Sequence, residues 1–176
     1  TTEDLNWVVD QFAHASARVQ QAGLDGIEVH AGHGYLIDTF LSPAWNHRTD
    51  AYGGSVEGRA GLLVEVLEAI RARCGPDFAL MVRLNGLDTA LKGGITPDLA
   101  AQYAAMAANA GADAIHVTAY SSITGGTGFT EGPLPWLDCQ YEDLARTVKD
   151  AVDVPVVAVG RIRPDDAERI LSSGGA

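Results

Sequence analysis

The chain has 176 residues, with 12 Lys and Arg against 23 Asp and Glu, a formal net charge of −11. That length suits one domain, and 47% hydrophobic with 20% charged residues is a globular composition that excludes intrinsic disorder. The acidic balance excludes a nucleic-acid backbone as partner. No apolar run approaches the roughly 20 residues of a membrane span, and two cysteines, Cys74 and Cys139, do not make a disulfide framework. A soluble, cytoplasmic α/β protein is expected.

The first element is a helix, marked by Leu5, Val8, Val9, Phe12, Ser16 and Val19 at helical spacing and stopped at Ala22-Gly23. A strand is predicted over 26–30. Ser55 is a candidate N-cap for a helix carrying Leu63, Val66, Leu67 and Ile70 on one face. Cys74-Gly-Pro-Asp77 ends it, and the next strand is predicted over 78–83. Thr96-Pro97 reads as an N-cap with proline at the first helical position, opening an Ala-rich helix that stops at Ala110-Gly111 before a strand over 114–118. Tyr141, Leu144, Ala145 and Val148 mark a fourth helix, 155–160 a fourth strand, and Pro164 the start of a last helix through Leu171.

Part of this repeats in the letters: Ala22-Gly-Leu-Asp-Gly-Ile-Glu-Val29 is echoed by Ala110-Gly-Ala-Asp-Ala-Ile-His-Val117. Alternating helices and apolar strands predict a parallel sheet covered on both faces. An open doubly wound sheet and a (β/α)8 barrel both satisfy that pattern, and both place chemistry at the carboxyl ends of strands. Polar groups follow every strand: His30, His33 and Tyr35, then Arg83, then His116 and Tyr120, then Gly160-Arg161. That spread favours a barrel. A full barrel takes about 250 residues, so the expected fold is an incomplete (β/α)8 TIM barrel. The opening Thr-Thr-Glu-Asp and the close just after a helix lead to the expectation that residues 1–176 are a fragment of a longer chain.

His30-Ala-Gly-His33-Gly-Tyr35 is the densest constellation of chemical groups. Its two imidazoles can grip a substrate oxygen, bind a metal in a Glu28-x-His30-x-x-His33 set, or pin the turn through backbone hydrogen bonds. Tyr35 adds a phenol able to donate a proton. Arg83 meets an anion or a polarised oxygen, or forms a salt bridge in a barrel mouth. Gly160-Arg161 ends a late strand, where barrels tend to hold phosphate. Residues 41–59 read as an ordered, hydrogen-bonded plug. Gly125-Gly-Thr-Gly128 lacks the lysine of a P-loop and reads as a lid anchored by Pro133, Pro135 and Trp136. His116 is either a core histidine or faces the mouth, His14 and His47 belong to the surface, and neither cysteine has neighbours that favour a thiolate.

Gly26-Ile-Glu-Val-His-Ala-Gly-His-Gly-Tyr-Leu-Ile-Asp-Thr-Phe-Leu-Ser-Pro43, followed by Asn46-x-Arg-Thr-Asp-x-Tyr-Gly-Gly-Ser55, closely resembles the old yellow enzyme family, in its bacterial NADH:flavin oxidoreductase and 2,4-dienoyl-CoA reductase branches. The likeness continues through Val82-Arg83-Leu84 and Val159-Gly160-Arg161-Ile162, over essentially the whole chain. It implies an FMN-containing barrel of which about strands four to seven are present. By likeness His30 and His33 hold a substrate carbonyl oxygen, with His30 also near the flavin. Tyr35 matches the proton donor, Arg83 the arginine on the flavin ring, and Gly160 with Arg161 a flavin-binding turn. The implied reaction uses NAD(P)H to reduce FMN, and the flavin to reduce an activated alkene or enoyl thioester. Thr118-Ala-Tyr-Ser-Ser-Ile-Thr124 lacks the histidine that dienoyl-CoA reductases carry there, which favours simple enone-type reduction. Gly58 stands where Asn is usual. An iron–sulfur cluster is implied only for a C-terminal part beyond these residues. The other readings are a metal-dependent barrel hydrolase using Glu28, His30 and His33, and a non-catalytic flavin-binding protein. The sequence leaves open the alkene, the choice of NADH or NADPH, and whether the protein is a homo-oligomer.

Overall fold

A computed structural model describes residues 1–89, 91–121 and 138–176. The glycine-rich segment 125–128 read as a lid, with Pro133, Pro135 and Trp136, lies outside them. The elements run α1 (Thr2–Gln21), β1 (Gly26–Ala31), α2 (Leu36–Leu41), α3 (Val56–Cys74), β2 (Ala79–Thr89), α4 (Pro97–Asn109), β3 (Ala114–Ser121), α5 (Glu142–Lys149), β4 (Val156–Ala158) and α6 (Pro164–Ser172).

Local chemistry sets the helix starts. Thr1 and Asp4 form a reciprocal capping box on α1, Ser55 accepts from Gly58 N–H at the head of α3, and Thr96 does the same for Leu99 N–H ahead of Pro97. The four strands lie in the order β1-β2-β3-β4, and each pair is parallel. Each strand reaches the next through a helical crossover, as parallel pairing demands.

Side chains alternate across the sheet. Val29 and Ala31, Leu80, Val82 and Leu84, and Ile115 and Val117 enter one core with Leu62, Leu63, Val66, Leu67 and Ile70 of α3 and Ala104 and Ala107 of α4. Burying each large aliphatic side chain contributes about 1.5–3 kcal/mol. The alternate positions carry Glu28 and His30, Met81 and Arg83, and Ala114 and His116, all half-buried or exposed. The sequence predicts strands covered on both faces. Among the described residues the large apolar core lies on one face only, and the other carries Glu28, His30, Arg83 and His116 among smaller apolar contributions.

Two further differences matter for the site. β2 runs to Thr89 instead of ending at Arg83, with a register irregularity between Asn85 and Asp88. A short helix, α2, follows the His-Gly-Tyr turn directly. Beyond it the plug forms as expected: Asn46 Nδ2 donates to the carbonyls of Phe40 and Tyr52, both at 2.7 Å, and Arg48 pairs with Asp50 while lying over the Phe40 and Tyr52 rings. Among the described residues no helix is long and apolar enough to cross a membrane.

Candidate active site

Cross-strand register assembles the polar face. His30 stands opposite Arg83, Arg83 opposite His116, and His116 opposite Val157, so three basic side chains from three strands form one row. The chain leaves β1 immediately after this row and turns through Gly32, His33 and Gly34. That turn brings the His33 ring to 4.9 Å from the His30 ring, edge to face, and the Tyr35 ring to 5.4 Å from it. The three groups singled out in the sequence therefore meet at one place. Tyr35 is 65% exposed.

Both imidazoles are held neutral. Burial, then the nearby Arg83 charge, lowers the His30 pKa; the same two causes in the same order take His33 down to about 4. A neutral imidazole carries one N–H donor and one acceptor nitrogen. His33 Nε2 lies 3.0 Å from Thr118 Oγ1, and His33 itself takes the left-handed conformation at φ 60°. A non-glycine residue there costs on the order of 1 kcal/mol and persists only where its surroundings enforce it.

The enforcing groups were not singled out in the sequence. Asn85 Oδ1 accepts the His33 backbone N–H at 3.1 Å, and Asp38 Oδ2 accepts that of Gly34 at 2.8 Å. Asn85 Nδ2 in turn donates to Asp38 Oδ1 at 3.0 Å and Asp88 Oδ1 at 3.1 Å; Ser42 Oγ and Ile95 N–H donate to Asp88 Oδ2. Asp38, Asn85, Asp88 and Ser42 are all buried. Burial, reinforced by the Asp88 charge, raises the Asp38 pKa to about 8, so at neutral pH Asp38 is largely protonated. Strand alternation was the available signal, because Asn85 follows Arg83 by two and Thr118 follows His116 by two.

Arg83 and His116 share a further property. The Arg83 Nε and His116 Nε2 atoms are buried with no hydrogen-bond partner among the described residues. His116 faces the polar side of the sheet, where its Nδ1 lies 2.8 Å from Glu28 Oε2. The metal-hydrolase reading is not favoured: Glu28 is paired with His116 across β2, and no group of three or more His, Cys, Asp or Glu among the described residues could hold a metal ion. Gly160 and Arg161 follow β4 at φ 106° and 56°. The φ of Gly160 favours glycine, and a Cβ there would lie a tight 3.1 Å from the Tyr141 ring. The Arg161 and Arg163 guanidinium groups share Asp138, at 3.1 and 2.6 Å. His14 and His47 are exposed. Cys74 is buried, and burial followed by Asp166 pushes the Cys139 thiol up, away from thiolate reactivity.

Comparison with solved structures defines the class. A 2-naphthoyl-CoA reductase in complex with 2-naphthoyl-CoA superposes with a TM-score of 0.88 at 32% identity, covering 99% of this chain and 26% of that one. An old yellow enzyme homologue from Zymomonas mobilis gives 0.78 at 27% identity, covering 100% of this chain and 47% of that one. The parallel sheet is an arc of the TIM barrel of old yellow enzymes. Residues 1–176 match the NADH:flavin oxidoreductase / NADH oxidase family, and the chain belongs to it. It is also 39% identical over 180 residues to a metal reductase of Desulforamulus reducens, covering 100% of this chain and 26% of that protein. The chain thus spans about a quarter to a half of the length of the proteins it resembles.

Proposed function

We propose that residues 1–176 are part of an FMN-binding barrel domain, in an oxidoreductase that uses NAD(P)H to reduce an activated C=C bond of enone or enoyl type. Its partner is a small alkene or thioester, and its dependence on NAD(P)H suits the cytoplasm. The observation that carries the reading is the meeting of His30, His33 and Tyr35 beside Arg83, a cation whose buried Nε donor has no hydrogen-bond partner among the described residues.

An unpaired buried donor suits an electron-rich ring heteroatom. Arg83 would hold the flavin ring, the turn at Gly160 and Arg161 would contribute to the same cofactor, and His30 would lie near it. Bound FMN would supply hydride from N5 to the β-carbon of the substrate. His30 and His33 would each direct one N–H at the substrate's carbonyl oxygen. Negative charge grows on that oxygen as the β-carbon is reduced, so two fixed donors stabilise the transition state more than the bound substrate. The Tyr35 hydroxyl would pass its proton to the α-carbon, and its exposure leaves it within reach of solvent for reprotonation.

Gentle purification of the intact protein, followed by an absorbance spectrum and an assay of NAD(P)H-dependent enone loss, tests the reading. Flavin bands and turnover are expected. Protein that is colourless, and stays so when FMN is added, contradicts it.

A further inference from the structure

Asn85 lies at the centre of the most completely buried polar cluster among the described residues, and nothing in the proposed chemistry uses it. Its oxygen is occupied by the His33 N–H, and its amide nitrogen spans two carboxyl groups, Asp38 and Asp88. Two carboxyl groups in one buried pocket are unfavourable unless each is paired or well hydrogen-bonded. Here Gly34 N–H, Ser42 Oγ, Ile95 N–H and both Asn85 contacts supply those bonds. The cluster therefore fixes the Asn85 amide plane from three sides.

That amide is packed tightly against the turn. A Cβ on Gly32 would come within 2.8 Å of Asn85 Oδ1, which gives a physical reason for glycine between the two histidines. The turn is thus gripped at consecutive residues: Gly32 by contact, His33 by Asn85, and Gly34 by Asp38.

We propose that Asn85 is a positioning residue, which with Asp38 clamps residues 32–34 and so fixes where the His33 ring stands relative to His30. This rests on the proposed role of His33 as a carbonyl donor. The clamp acts through His33 and touches neither substrate nor cofactor.

A double-mutant cycle on the flavin-loaded protein tests it. Displacing a fixed donor by about 1 Å can slow turnover on the order of 100-fold. Asn85→Ala is therefore expected to lower kcat for enone reduction by about 10-fold to 100-fold with His33 present, and by less than about 3-fold in the His33→Ala background. Ser42→Ala, which cuts the same cluster on the Asp88 side, is expected to lower thermal stability and leave kcat unchanged. Equal losses from Asn85→Ala in both backgrounds, or a Ser42→Ala loss of kcat as large as that of Asn85→Ala, would overturn the clamp and reduce Asn85 to a structural residue. Full activity in His33→Ala alone would instead overturn the site reading on which the clamp rests. If Asn85→Ala does not fold, Asp38→Ala, which removes the acceptor of the Gly34 N–H, is run through the same cycle with the same two expectations.

Discussion

Arg83 stands opposite His30 across the parallel β1–β2 ladder, and its charge helps keep the His30 and His33 imidazoles neutral. A fixed cation beside two neutral donors suits a site in which an electron-rich ring and a carbonyl oxygen lie close together. It also gives one side chain two separable effects, on cofactor affinity and on the histidines.

Replacing Arg83 removes a buried donor that has no hydrogen-bond partner among the described residues. A hydrogen bond from a charged group is worth about 1.5–3 kcal/mol, so Arg83→Ala should weaken FMN binding on the order of 10-fold to 100-fold. Fluorescence titration of the apoprotein with FMN measures this directly. An unchanged Kd would remove Arg83 from the flavin site.

Asp38 makes stability depend on pH in a defined direction. Its folded pKa, about 8, lies above the unfolded value, so the folded state holds the extra proton. The stabilisation is complete below the unfolded carboxyl pKa of about 3.9 and is lost as pH rises through about 8. Asp38→Asn cannot ionise. The melting temperature of this variant relative to the parent should therefore rise between pH 5 and pH 8.5. Parallel melting curves across that range would show that Asp38 is not protonated in the folded state.

His33 acts in the opposite direction. With its folded pKa about 4, below the unfolded value of about 6.5, the unfolded state binds the extra proton between the two. Stability should fall as pH drops from about 6.5 to 4, and His33→Gln should lose that acid slope. A slope as steep in the variant as in the parent would contradict the assignment.

Arg71 ties three pieces of the scaffold together. It donates to the carbonyls of Gly75, Phe78 and Gly111, and pairs with Asp113 at 2.8 Å. Lysine has no planar fork to reproduce this set. Arg71→Lys is expected to cost about 1–3 kcal/mol, read as a melting temperature lower by several degrees. A change within about 1 °C would show that the set is redundant.

Much of this was legible in the sequence because local signals agreed with the final packing. Thr96-Pro97 and Ser55 start helices as their side chains require, and the repeated Ala-Gly-x-Asp turn ends α1 and α4 before parallel strands. His30, His33, Tyr35 and Arg83 could be picked out because each follows or ends an apolar run. Asp38 and Asp88 could not, and Asn85 was within reach only by carrying the strand alternation past Arg83. Their meeting depends on β2 continuing past Arg83 through an irregular register, and on α2 turning Asp38 back beneath the turn. Both are tertiary consequences that no short window of letters contains. Glu28 misled for the same reason: it lies two residues before His30 in sequence, yet its partner, His116, is 88 positions away.

The most direct test of the central claim is Tyr35→Phe in the flavin-loaded protein, with two rates followed separately: flavin reduction by NAD(P)H, and enone reduction by the reduced protein. Losing only the phenolic proton should leave the first within about 3-fold and lower the second by about 100-fold or more. Enone reduction at the parental rate would show that the proton comes from elsewhere, and that the cluster of His30, His33 and Tyr35 does not do the chemistry assigned to it.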